Sequence, residues 1–162
     1  MTDGPLRALL ENAVAELEKS GAPDEALATI KRPRFGAPRM VSTGRAWRLG
    51  VLLLGRDARL YSTGSVTRAI EPLRGVANKS AEAEERREFR RMAARGKFPE
   101  GETINFDHVE LAVDAASLEL SDGPVLLRHG VALVVWNPAA PASGVRPLEG
   151  YLAERISLAA EQ

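Results

Sequence analysis

Apolar positions along the chain alternate between a helical and a two-residue period. In residues 5–19, PLRALLENAVAELEK, the side chains Leu6, Leu9, Leu10, Ala13, Val14 and Leu17 recur on one helical face. Asp3 suits a cap, Pro5 a first turn and Gly21 a stop. The following DEALATI predicts a short helical turn. Residues 31–44, KRPRFGAPRMVSTG, predict a surface loop, because Pro33, Gly36 and Pro38 interrupt any regular element and four basic residues favour solvent. From Arg45 the period becomes two. Trp47, Leu49, Val51 and Leu53 fall on one face of an expected single strand, and Arg48, Gly50, Leu52 and Leu54 on the other. GRD at 55–57 reads as a turn, ARLY as a second strand, STGS as a turn and VTRAI as a third strand.

The helical period returns in residues 80–96, SAEAEERREFRRMAARG. Ser80 is the expected cap and Gly96 the end, and a thin apolar side is expected to dock through Phe89 and Met92. TINF, VELAV and LEL predict strands, with DAAS a turn or bulge and SDG a turn. PVLLRHGVALVVW is one long bent strand, or two strands broken at Arg128-His129-Gly130. Residues 137–147 predict a second surface loop. LEGYLAERISLAA predicts a last helix with Leu148, Tyr151, Leu152 and Ile156 on its apolar side. These elements predict an α+β fold: a mostly antiparallel sheet of about six strands with helices packed on one face, in the order α-βββ-α-βββ-α.

A chain of 162 residues with 44% hydrophobic side chains fits one compact domain, 1–162. The absence of cysteine removes disulfides, thiolate catalysis and cysteine-based metal sites, and fits a reducing, cytoplasmic setting. The acidic N-terminal residues do not resemble a signal peptide, and the apolar runs VLLLG and VALVVW are too short to span a bilayer, so no membrane association is expected. Charge balances over the whole chain but not along it. Residues 1–100 hold 19 basic and 13 acidic side chains, and residues 101–162 hold 3 basic and 9 acidic. Such polarity suits an anionic partner or head-to-tail pairing of subunits.

Two stretches, VSTGRAWR at 41–48 and YSTGSVTR at 61–68, share S-T-G-x-x-x-R. If both are turns of a meander, they fall at the same end of the sheet. Ser42, Thr43, Arg48, Ser62, Thr63 and Arg68 are then candidates for a shared anion pocket, in which turn amides and hydroxyls hold the anion and arginines add bidentate contacts. The bland alternative is two hairpin turns followed by surface arginines. In FDHVELAV, residues 106–113, His108 and Glu110 fall on one side of an expected strand. With His129 they are candidates for metal binding or acid/base work, and ordinary sheet residues are the competing reading. The words DHVELAV are similar to a strand of metal-dependent vicinal oxygen chelate enzymes. The match covers seven residues without the longer helix that should follow, so no function is carried over from it.

LRGVANKS, 73–80, matches a Walker A loop only at Lys79 and Ser80, with Leu73 and Asn78 where glycines belong. Asn78-Lys79-Ser80 also fits a glycosylation sequon, which means nothing without secretion. No serine sits in G-x-S-x-G. The basic segment 31–59 and the arginines of the 86–95 helix could contact phosphates, but the zero net charge and the absence of a reading motif make nucleic acid an unfavoured partner. The leading expectation is a non-catalytic interaction or ligand-binding domain that self-associates, with a homo-oligomer and a small anionic ligand as partners and no cofactor. A small-molecule enzyme using His108 or His129 with nearby carboxylates is the first alternative.

Overall fold

The computed structural model describes residues 4–72, 80–140 and 142–162. It is an α+β fold with a mixed sheet and helices packed against it. Among the described residues it has ten strands in two sheets and four helices, where the periodicity predicted about six strands and three helices. The described backbone segregates into two compact units. One unit comprises residues 1–24, 46–63 and 109–162, and the other residues 25–45 and 64–108.

The first unit begins with α1 (Gly4–Ser20), whose buried face is Leu10, Ala13, Val14 and Leu17, as the spacing requires. It stops at Gly21, at φ +68, where the Gly21 and Ala22 amides return to the carbonyls of Glu18 and Leu17. The expected Asp3 cap lies outside the described residues. The long strand expected from Arg45 to Leu54 is instead a hairpin. It joins the end of β2 (Arg39–Leu49) to β3 (Leu52–Gly55), with Leu49 opposite Leu52. Gly50 reverses the chain at φ +66, a conformation that glycine adopts without a Cβ clash. The turn shifts the phase: Leu52 and Leu54 share the core face of Trp47 and Leu49, where a single strand would have put Val51 and Leu53, and Leu53 lies opposite Arg48 on the other face. The 55–59 turn then leads to β4 (Leu60–Ser62), which pairs with β3 as the meander predicted.

In the same unit β7 (Val109–Glu110) pairs with β4. The expected DAAS turn and LEL strand are a short helix, α3 (Ala115–Glu119). The Asp114 carboxylate caps it by accepting from the Ser117 amide at 2.9 Å, a bond that lowers the Asp114 pKa. PVLLRHGVALVVW divides into β8 (Val125–Arg128) and β9 (Val131–Val135), with His129 and Gly130 at the hairpin tip. The expected 137–147 loop ends in a strand, β10 (Val145–Pro147), and β10-β9-β8 form a separate sheet. The last helix, α4 (Leu148–Ala160), packs on α1, β9 and β10. Trp47, Leu52, Leu54, Tyr151 and Leu152 are among the buried side chains that join these elements in one core.

The second unit opens with the largest departure from local propensity. Glu-Ala-Leu-Ala favours helix, yet residues 25–31 form strand β1 (Glu25–Lys31) with Ala26, Leu27 and Ala28 all buried. Three consecutive buried residues mean that both strand faces are covered, and this tertiary burial outweighs a few tenths of a kcal/mol per residue of helix preference. β1 pairs in parallel with β6 (Thr103–Phe106), against the expected antiparallel order. Asn105, fully buried on β6, donates its side-chain amide to Glu25 Oε1 and the Ala26 carbonyl at 2.9 and 3.2 Å. β5 (Ser65–Arg68) pairs antiparallel with β6, so the order in this unit runs β5-β6-β1-β2. Residues 39–45 of β2 belong here, and the irregular backbone of the expected 31–44 loop shrinks to 32–38.

Helix α2 (Ala81–Arg95) also lies in this unit. Ser80 accepts from the Ala83 amide, and Phe89 and Met92 face the core as expected. Phe89 meets Phe106 at 4.7 Å between ring centroids, a tilted contact that sets the helix beside β5 and β6. The phosphate-loop and sequon residues 73–79 lie outside the described residues.

Candidate functional site

β5 ends the strand order of the second unit and α2 packs beside it. Together they form a groove of about 290 Å³. Arg68 of β5 lines it, as do Arg86 and Arg90 on successive turns of α2. Phe89 and Val66 give it an apolar lining, and Thr67 and Thr103 add hydroxyls. Among the described residues, no carboxylate lines it. The local sequence explains the asymmetry of the helix. Glu84 and Glu88 lie one turn apart and both bind Arg91, at 3.1 and 3.0 Å, while Glu88 also reaches Arg95 at 3.6 Å. Those acids are thereby committed to one side of α2. Among the described residues, no ion pair forms on Arg68, Arg86 or Arg90. Three arginines lining one open groove favour an anion that enters it.

The S-T-G repeat does not supply two equivalent turns. Ser42 and Thr43 are extended residues within β2, whose hairpin turn comes later, at Gly50. Ser62 ends β4, with its hydroxyl near the Val109 carbonyl at 3.4 Å, and Thr63 follows it. Arg48 sits in β2 opposite Leu53. Ser42 and Thr43 belong to the second unit, and Ser62, Thr63 and Arg48 to the first. The premise of matched corners fails because a serine-threonine-glycine triplet is as compatible with an extended strand as with a turn. Arg68 alone of the six lines the groove.

His108 and Glu110 do not share a strand. Asp107, at φ +57, breaks the expected FDHVELAV strand into β6 and β7, which pair with different partners. Glu110 is ion-paired with Arg59 at 3.6 Å, and His129 is exposed at a hairpin tip with φ +52. Among the described residues, no group of three or more histidine, aspartate or glutamate side chains is arranged to hold a metal ion.

Burial pushes the half-buried His108 imidazole below its ordinary pKa, against an opposing pull from Asp107. The unfolded chain then takes up a proton near pH 6.5 before the folded protein does. The stability contribution is therefore complete above about pH 6.5 and declines as pH falls toward the lowered folded value. Thermal melts at pH 7.5 and 5.5 should show a smaller acid loss for His108→Gln than for the parent. Equal losses would remove this role from His108.

The basic 31–59 segment is partly neutralised where it stands. Arg45 binds Glu102 at 2.6 Å, Arg56 binds Asp24 at 2.7 Å, and Arg59 lies 3.6 Å from Asp57. Arg86 and Arg90 were legible as exposed helix arginines, but their association with Arg68 was not. The usable signal was the i, i+4 arginine pair on the helix that follows an edge strand. No helix among the described residues is long and apolar enough to cross a membrane. No protein-family model matches the chain, and comparisons with curated proteins and with solved structures give no match.

Proposed function

We propose that the chain is a non-catalytic binding domain that takes an anionic ligand in the Arg68–Arg86–Arg90 groove. The observation that supports this reading is that three arginines line one groove, with no carboxylate among its described lining residues. An arginine fork is well matched to carboxylate or phosphate oxygens, and Phe89 and Val66 offer apolar contact to whatever carries them. The arginines keep solvent access, so each contact is worth about 1 kcal/mol or less. Titrating sodium pyrophosphate into the protein should shift the backbone amide resonances of β5 and α2. Arg86→Ala with Arg90→Ala should weaken that binding about tenfold, equivalent to about 1.4 kcal/mol. Alanine keeps helix propensity high at these exposed positions, so the double variant should fold normally. Shifts spread over the whole molecule, or an unchanged affinity in the variant, would end the proposal.

Self-association is proposed on a separate observation, the opposite charge excess of residues 1–100 and 101–162. Solution mass should exceed that of a monomer at low salt and fall toward it at high salt, as screening shortens the reach of charge. A monomer under both conditions would refute it.

A further inference from the structure

Resting on the anion-binding reading of the groove, we infer that its ligand is an acidic peptide in extended conformation, which adds as a strand to the outer edge of β5. The groove has a backbone wall as well as a charged rim. β5 is terminal in the strand order, and no strand among the described residues pairs with its outer side. The hydrogen-bond phase identifies which groups face outward. The Ala69 amide donates to the Glu102 carbonyl at 3.0 Å, in register with the β5–β6 ladder. Alternation along an antiparallel pair then turns Thr67 and Ser65 toward β6, and the backbone groups of Val66 and Arg68 away from it. The Arg68 carbonyl accepts from the Ile70 amide at 2.9 Å. The Val66 amide and carbonyl and the Arg68 amide are left as the outward set, and Val66 is 49% exposed. An added strand needs this alternating set of donors and acceptors.

Charge selects the occupant. An open edge invites pairing with any extended chain, and basic residues on it discourage pairing between like copies. Arg68, Arg86 and Arg90 make a second β5 edge an unfavourable partner and an acidic strand a favourable one. Alternate side chains of a strand project to one face at intervals of about 6.8 Å, and the i, i+4 arginines of a helix lie about 6 Å apart. Carboxylates at every second position therefore match the spacing of Arg86 and Arg90. A phosphate ester satisfies the arginines equally well but leaves the β5 edge unused.

The probe is an alternating glutamate–threonine hexapeptide, blocked at both ends and fluorescently labelled. Two further versions carry N-methyl groups on its odd or its even amides. The inference predicts saturable binding with protection of the Val66 and Arg68 amides from hydrogen exchange. It predicts at least tenfold weakening by one N-methylated version but not the other, because only one set of amides can face β5. Arg86→Ala with Arg90→Ala should weaken the parent peptide about tenfold. Equal binding of all three peptides, still sensitive to the arginine variant, would overturn strand addition and leave the anion site standing. No peptide binding alongside pyrophosphate binding would do the same. A single-stranded oligonucleotide bound more tightly than the peptide, through the same arginines, would also overturn it. Failure of every probe would remove both readings.

Discussion

Trp47→Ala is expected to destabilise the protein by about 3–5 kcal/mol, the largest effect of any single side-chain truncation considered. Trp47 is 1% exposed in the core of the first unit, surrounded by α1, β3 and α4 side chains. Its indole nitrogen donates to the Ala22 carbonyl at 3.0 Å, fixing the residue that follows the α1 stop. The Arg56 guanidinium lies 4.6 Å from the ring centroid and is itself held by Asp24 at 2.7 Å. Truncation removes apolar burial, leaves a cavity, strands the Ala22 carbonyl and deprives Arg56 of its ring contact. The midpoint of thermal unfolding should fall by on the order of 10 °C, followed by far-UV circular dichroism. Trp47→Phe retains most of the volume and loses the hydrogen bond, so its cost should be smaller, about 1–3 kcal/mol. A loss below about 1 kcal/mol for the alanine variant would contradict the packing described for this core.

Gly50→Ala should be the second most damaging change, at about 3 kcal/mol from strain and lost hydrogen bonding together. At φ +66 an alanine is strained whatever the space around it, and here there is none. The added methyl would overlap the Tyr151 hydroxyl. That hydroxyl cannot move aside cheaply, because Tyr151 is 2% exposed. It accepts from the Val51 amide at 2.9 Å and donates to the Leu49 carbonyl at 3.0 Å, so it clasps both sides of the hairpin turn. Tyr151→Phe removes the clasp and with it the obstacle. In a double-mutant cycle by urea denaturation, Gly50→Ala should therefore cost less on the Tyr151→Phe background than alone. Additive losses would show that the methyl does not act through Tyr151.

The same hairpin shows why strand number was hard to read. The turn at Gly50 shifts the alternation by one residue, but Leu52, Leu53 and Leu54 are all buried, so no polar position along the sequence marks the shift. His108 and Glu110 illustrate the opposite error. Their spacing suited one strand, and Asp107, in the left-handed region, follows the end of β6, leaving His108 in the connection and Glu110 on β7. DEALATI became β1 because β6 pairs along its edge from far away in sequence and tertiary packing buries Ala26, Leu27 and Ala28, neither of which a local window contains. By contrast α1, α2 and α4 were legible in their buried faces, and Ser80 and Gly21 in their capping roles, because helix periodicity and caps act within a few residues.

The candidate site divides along the same line. Arg68, Arg86 and Arg90 were each readable as basic and surface-directed, since a guanidinium in a polar, short-range context stays in water. What tertiary structure decided is that β5 is an edge, that Phe89 docks on Phe106 to bring α2 beside it, and that Glu84 and Glu88 are spent on Arg91. The sequence by itself determined the three long helices and the sign of their charges, set by interactions within a turn or two of chain. Which strand became terminal, which pair ran parallel and which arginines line one groove were settled by contacts between residues far apart in sequence, because only burial against distant partners distinguishes those arrangements in free energy.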